Sequence, residues 1–275
     1  MQAPQPRSLI LDIYGAYVRR LGGWLAIADL IRLMAHVGHN EQAVRRAASR
    51  MKKSGLLVAE TRERAAGYCL SDEALAILRD GDERIFNTNT ATDLGDGWVL
   101  AVFSVPERLR DQRHQLRRQL AWLGFGQMAS GVWMAPRRML VDAKRTLQHR
   151  GLARYVDLFE ARHEGFEPTV ALIARTWDLA QLARLYRAFV RKHQKVLDRW
   201  RQEPTPGDQE AFVDYTLALA EWRRLPYMDP GLPAELLPPD WIGQRARALF
   251  VELDQSLQDR AFVYVVSTVR RREGP

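Results

Sequence analysis

The hydrophobic period changes once along this chain, and that change confines what it can fold into. Before the polar, glycine-containing stretch at residues 87–97 (NTNTATDLGDG), apolar residues recur mostly at helical spacing. After it they begin again as a strand-like block, Trp98 to Val105 (WVLAVFSV). One core of a single class cannot serve both halves, so the pattern predicts an α+β, multidomain chain with a linker at 87–97. The length of 275 residues allows two or three domains. With 47% hydrophobic residues each can bury a real core, which excludes a disordered or fibrous chain.

In the first part, Ser8 to Arg20 reads as a helix on Leu9, Ile13 and Val18, broken by Gly22-Gly23. Trp24 to Val37 (WLAIADLIRLMAHV) reads as a second, apolar helix, and Gly38-His39 as the turn after it. Asn40 is placed to cap a third helix, Glu41 to Lys53, which Gly55 ends. Leu56 to Glu60 and Gly67 to Leu70 are expected as short strands around a basic tip, Thr61-Arg62-Glu63-Arg64, and Ser71 caps the next helix. Three helices followed by a hairpin is the order of a winged helix-turn-helix.

Beyond the linker the expected order is a strand at Trp98–Val105, a basic amphipathic helix at Glu107–Leu123 and a hairpin about Ser130-Gly131. A helix near Leu140–His149 and a strand at Tyr155–Ala161 complete a ferredoxin-like βαββαβ pattern. From Trp177 the chain reads as helices: Asp178–Arg201, an interruption at Glu203-Pro-Thr-Pro-Gly, Asp208–Arg224, a proline-punctuated stretch, and Trp241–Gln258. The division expected is a winged-helix DNA-binding domain at 1–88, a ferredoxin-like middle domain at 89–167 and a mostly α-helical domain at 168–275.

Lysine and arginine total 41 against 33 acidic residues, a net charge of +8, and six of those eight charges fall within residues 1–70. A polyanion docked on that segment accounts for the bias, since each phosphate neutralised releases a counterion. On the third helix Val44, Ala47, Ala48 and Met51 share the core-facing stripe, which leaves Gln42, Arg45, Arg46, Ser49, Arg50 and Lys53 outward. Arginine can fork onto guanine, glutamine onto adenine, and a short serine lets the backbone approach. Lys52, Lys53, Arg62 and Arg64 suit phosphate, which positions without specifying. Asn40 serves as a helix cap, with base reading as its alternative, and a solvated basic face is the plain alternative for the whole segment.

A single cysteine excludes a disulfide framework and any multi-cysteine metal site; Cys69, in the expected wing strand, reads as a buried apolar thiol rather than a redox sensor. His36 and His39 have no carboxylate cluster beside them, and no Walker loop, GxSxG, dinucleotide fingerprint or HExxH occurs. The expectation is therefore no metal, no cofactor and no catalytic constellation. No apolar run nears the ~18 residues that span a bilayer, and Met1–Arg7 has no signal-peptide core, so a cytoplasmic protein with no membrane partner is expected.

Several strings carry a family resemblance: Gly22-Gly23-Trp24-Leu25 and Asn40-Glu41-Gln42-Ala43-Val44-Arg45 early, Phe103-Ser104-Val105-Pro106-Glu107 and Gly131-Val132-Trp133 in the middle, then Trp177-Asp178-Leu179. The most distinctive is Trp222-Arg223-Arg224-Leu225-Pro226-Tyr227-Met228-Asp229-Pro230-Gly231-Leu232-Pro233. Across essentially its whole length the chain resembles the PaaX-type family, the transcriptional repressors of phenylacetic acid catabolism. The resemblance implies a winged-helix reader of double-stranded operator DNA, a ferredoxin-like middle domain, an effector or dimerisation role for 168–275, a homodimer, and release by an aryl-CoA thioester such as phenylacetyl-CoA. An acyl-CoA needs an apolar slot and cations for its phosphates. Trp222, Tyr227 and Trp241 with Arg223 and Arg224 are the ligand-binding residues expected. The alternative is that this string packs helices together, with Arg223 or Arg224 paired to Asp229 or Asp240.

The middle segment also resembles the small CRISPR-associated ferredoxin-like nuclease subunit, whose first strand ends in an aspartate able to hold a divalent cation. Here that position is Ser104, a poor ligand for a hard cation. A metal-dependent nuclease, or an acyl-CoA-handling enzyme carrying a basic N-terminal domain, is the rival to a ligand-responsive DNA-binding repressor without enzymatic activity.

Overall fold

Residues 4–86, 93–202 and 206–270 are described by a computed structural model, a mixed α+β fold with two small antiparallel sheets. Helix α1, Pro6–Ala16, starts on a proline, which suits a position whose N–H has no helical partner, and buries Leu9, Ile10 and Ile13. It stops four residues short of the expected Arg20, and a 3-10 turn, Val18–Leu21, follows. Gly22 and Gly23, both left-handed (φ 85° and 82°), then redirect the chain. As a result Trp24–Ala26 is a strand, β1, and not the first turn of the expected helix. Its backbone groups are satisfied across a sheet instead, Trp24 opposite Cys69 and Ala26 opposite Gly67.

Helices α2 (Ile27–His36) and α3 (Glu41–Lys53) follow, then strands β2 (Leu57–Arg62) and β3 (Ala65–Leu70), and α4 (Asp72–Phe86). The sheet order is β1-β3-β2. The hairpin tip is shorter than the sequence implied: Thr61 and Arg62 are paired with Ala66 and Ala65, and only Glu63 and Arg64 turn. Ser71 caps α4 as expected, its Oγ accepting from Ala74 N–H at 3.2 Å.

The stretch read as a linker, 87–97, lies outside the described residues as far as 92; from Asp93 it is a capped 3-10 turn. Then come β4 (Trp98–Phe103), α5 (Arg110–Trp122), β5 (Gly126–Ala129), β6 (Val132–Pro136), α6 (Leu140–His149) and β7 (Val156–Ala161). The strands align β5-β6-β4-β7, every neighbour antiparallel. Strand alternation sends Val99, Ala101, Trp133 and Ala135 to one face, where α5 (Leu116, Leu120) and α6 (Ala143, Leu147) cover them. Trp98 and Met134 face the other way, onto Leu172 and Ile173 of a short helix not anticipated from the sequence, α7 (Thr169–Thr176), and onto Leu232 and Leu236.

The remaining helices are α8 (Leu179–Trp200), α9 (Asp208–Trp222), the single turn α10 (Leu225–Met228) and α11 (Gly243–Arg270), which runs well past the expected Gln258. The expected interruption at Glu203–Gly207 lies outside the described residues through Thr205. The chain forms two compact units. The first holds the residues up to Phe86, Arg187–Arg223 and everything from Gln244 on; the second holds the chain between Phe86 and Arg187 together with Arg224–Gly243. Residues 168–275 therefore contribute to both.

Within the first unit, the end of α1 rests on α9. The Tyr17 ring lies 5.6 Å from Phe212 and 6.3 Å from Tyr215, and its hydroxyl is 2.9 Å from that of Thr216. Helix α11 buries every fourth residue from Leu249 through Leu253, Leu257 and Ala261 to Val265. Among the described residues no helix is long and apolar enough to cross a membrane.

Candidate nucleic-acid interface

Helix α3 is two-sided. Val44, Ala47, Ala48 and Met51 are fully buried, whereas Gln42, Arg45, Arg46, Ser49, Arg50, Lys52 and Lys53 are exposed, the division that helical spacing predicts. Asn40 also lies exposed at its N-terminus, with its side-chain oxygen accepting from Ala43 N–H at 2.9 Å. That oxygen serves as the cap, which leaves the amide nitrogen as the donor open to a ligand. Arg45 is held by Glu41, one turn earlier, at 2.6 Å. Arg46, Arg50 and Lys53 meet no carboxylate among the described residues.

The hairpin sets its two arginines differently. Arg62 donates to Glu60 at 2.7 Å and stands 5.5 Å above the Trp24 ring, whose indole N–H donates to the Glu60 carbonyl oxygen. Trp24 can lie there because the residue beneath it is Gly67: a Cβ on Gly67 would fall 2.7 Å from the ring and 2.5 Å from the Leu25 carbonyl oxygen. Arg64 sits at the tip itself. Glu63 and Arg64 have φ of 47° and 64°, the two successive left-handed residues of a type I′ turn, without the glycine or asparagine that such a turn favours.

Cys69 is not the buried apolar thiol expected. It is part-exposed on β3 and donates to Glu60 at 2.8 Å, because strand pairing puts it on the same sheet face as Glu60 and Arg62. Partial burial and that hydrogen bond push the thiol up to about 11, while bonds from Arg62 and Cys69 hold the Glu60 carboxylate below its ordinary range.

The five residues expected to bind a ligand fall in both compact units. Trp222 is a core residue, 2% exposed, stacked on Phe250 at 4.9 Å with its indole N–H on the Ile85 carbonyl oxygen. Arg223 pairs with Asp12 of α1 at 2.8 Å and donates to the Ser8 hydroxyl, not to Asp229 or Asp240 as the packing alternative had it, because α9 delivers Arg223 to α1. Asp12 is 4% exposed, and one of its oxygens has no hydrogen-bond partner among the described residues. Burial pushes its carboxyl up to about 7 against the pull of Arg223.

The other three belong to the second unit. Arg224 is exposed, Tyr227 lies 5.1 Å from Trp122, and Trp241 meets Tyr186 edge-on at 5.9 Å. Asp229 accepts from the Tyr186 hydroxyl at 2.7 Å and from Gly231 N–H at 2.8 Å, which fixes the turn between them. Gly231, at φ 62°, is crossed by the Arg138 guanidinium where a side chain would otherwise stand. Asp12 and Arg138 went unnoticed in the sequence, although an aspartate between Leu9-Ile10 and Ile13 on a core-facing stripe does announce a buried partner.

Ser104 is exposed just after β4, and no group of three metal-binding side chains occurs among the described residues. Three family models match in succession: PaaX-like protein over residues 5–74, the PaaX protein central Cas2-like domain over 91–173, and the PaaX-like protein C-terminal domain over 177–267. The chain is 30% identical over 264 residues to the transcriptional repressor PaaX of Escherichia coli K12, covering 94% of this chain and 82% of that one. The chain belongs to the PaaX family. A solved structure of an uncharacterized protein from Mycobacterium tuberculosis is also similar to this PaaX-family chain, at 27% identity and a TM-score of 0.58, over 96% of this chain and 98% of that one. The family's C-terminal model spans residues of both compact units, and its central model spans the four-stranded sheet.

Proposed function

We propose that this chain is a DNA-binding transcriptional repressor of an aromatic, phenylacetate-type catabolic operon, a regulator and not an enzyme. The observation that carries this is α3: a helix whose inner stripe is wholly apolar and whose outer face presents Gln42, Arg45, Arg46, Ser49, Arg50 and Lys53 to solvent. Three helices and a hairpin with an arginine at its tip support a winged-helix layout over 1–88, in which α3 enters the major groove and Arg62 and Arg64 meet backbone phosphates. The strand order β5-β6-β4-β7 supports a ferredoxin-like middle domain over 89–167. The name of the Escherichia coli relative supports the repressor role.

The finer reading is that the protein acts in the cytoplasm as a homodimer on a palindromic operator and is released by an aryl-CoA thioester such as phenylacetyl-CoA. Residues 168–275 would carry the effector and dimer functions. Arg224, Tyr227 and Trp241, all in the second unit, would be the effector contacts. Trp222 and Arg223 would act through packing, since both are engaged within the first unit. A ligand releases DNA only if it favours one state of the protein over another.

The test is fluorescence anisotropy on DNA from upstream of the gene, with a scrambled duplex as competitor, with and without phenylacetyl-CoA. Specific binding released by the thioester and untouched by free phenylacetate is the expected result. Specific binding indifferent to the thioester removes the effector; binding with no sequence preference removes the repressor. Light scattering of the same samples reports the dimer.

A further inference from the structure

We propose that the outer flank of α5, in the second unit, is a second DNA contact that grips the phosphate backbone without reading bases. The choice of DNA as partner rests on the repressor reading above; the choice of a polyanion rests on the helix itself. Arg110, His114, Arg117 and Arg118 stand at i, i+4, i+7 and i+8, so they share one flank, turned away from the buried Leu116 and Leu120, and all four are exposed. Their partners are neutral. Arg110 donates to a ring nitrogen of His114 at 3.3 Å, Arg117 to the side-chain oxygen of Gln127 at 3.0 Å, and Arg118 meets no acid among the described residues.

Elsewhere in the same unit exposed Arg137, Arg145 and Arg175 pair with Glu160, Asp142 and Glu167, and half-buried Arg113 with Glu107, while exposed Arg108, Arg150, Arg154 and Arg162 meet no acid among the described residues but lie singly on other elements. Three guanidinium groups against the single acid of the same helix, exposed Asp111, leave this flank with a surplus of positive charge that an external polyanion can match. Guanidinium groups bonded to neutral acceptors keep N–H donors free, in the planar fork that suits phosphate oxygens. The stripe runs roughly 10–12 Å along the helix, the reach of about two or three phosphates on one strand of a duplex. It lies on a convex helix flank, whereas a small anion is held in a concave site. A polymer of phosphates fits this geometry better than one pyrophosphate does.

The test uses the full chain carrying Arg110→Gln, Arg117→Gln and Arg118→Gln together, which are surface changes, with an unchanged melting curve as the check on folding. Binding is measured over a range of salt on two labelled duplexes of equal length, one from upstream of the gene and one scrambled, with Arg46→Ala as a control in the reading helix. The expected result is an equal loss of affinity for both duplexes, roughly tenfold or more at moderate salt. The slope of log K against log salt should become shallower by about one for each arginine that touches a phosphate. The preference for the upstream duplex should survive, whereas Arg46→Ala should reduce it. Parental affinity and slope in the triple variant would overturn the proposal. So would normal DNA binding with lost response to phenylacetyl-CoA, which would assign the arginines to the thioester's phosphates. If the parent prefers neither duplex the repressor reading falls, yet the slopes on scrambled DNA still judge the flank.

Discussion

Arg46 and Arg50 project from α3 without carboxylate partners, so their donors are free to meet a base edge, whereas Arg45 must first leave Glu41. Arg46→Ala is therefore expected to weaken specific binding by about 1–3 kcal/mol. Glu41→Gln should strengthen it, by freeing Arg45 and removing a negative charge from the face. Titration against operator DNA checks both, and two unchanged affinities would remove α3 as the reading helix. Asp12 yields a prediction about pH. Its folded carboxyl titrates at about 7, above its ordinary 3.8, so the folded state holds a proton that the unfolded chain releases. Asp12 then contributes stability that is fully present below about pH 4 and is lost as pH rises to 7, a term of a few kcal/mol at most. Melts across pH 4.5–8 should show a flatter curve for Asp12→Asn than for the parent. The groups around it, Arg223 and the Tyr17 hydroxyl, do not reverse the sign. Arg223→Met removes the charge that pulls the Asp12 carboxyl down, so it should keep that acid protonated to higher pH and cost about 1–3 kcal/mol for the polar group left without its partner.

At the scale of elements, α3 was fully legible because a 13-residue helix with an asparagine cap and an apolar stripe has one consistent solution. Strand β1 was not. Trp24–Ala26 has a sequence that would join α2; once Gly22 and Gly23 have redirected the chain, it is a strand because β3 offers it a partner more than 40 residues away. Long-range pairing of this kind leaves no local signal. The hairpin turn lies between these cases: its place was visible, its left-handed pair at Glu63 and Arg64 was not, since neither residue is a usual choice there. Glu63→Asn with Arg64→Gly should relax the turn and raise stability by about 1–2 kcal/mol. The same variant should bind DNA less tightly, having lost the arginine at the tip. Thermal melts and DNA titrations moving in opposite directions would confirm that strain is kept here for a charge; parallel movement would refute it.

At the scale of the whole molecule, the family string around Leu232 finds a structural reason in the second face of the four-stranded sheet, which it covers through Leu232 and Leu236. The effector contacts expected of it do not stay together: adjacency in sequence placed Trp222 beside Tyr227, while the fold sends Trp222 into a separate core. A fragment ending at residue 88 tests the first unit. It would lack α9 and so leave Tyr17 uncovered and Asp12 without Arg223. Such a fragment is expected to melt without cooperativity, in contrast to the intact chain, and a sharp unfolding transition for it would show that α1 to α4 need no such cover.

The packing of α1 against α9 also sets a clock. A ribosome adding roughly 5–20 residues per second finishes α4 well before it completes α9, a delay on the order of seven to thirty seconds. For that interval the reading helix exists while the cover of α1 does not. A chain broken off before α9 is then expected to bind DNA poorly, since α1 would lack its cover.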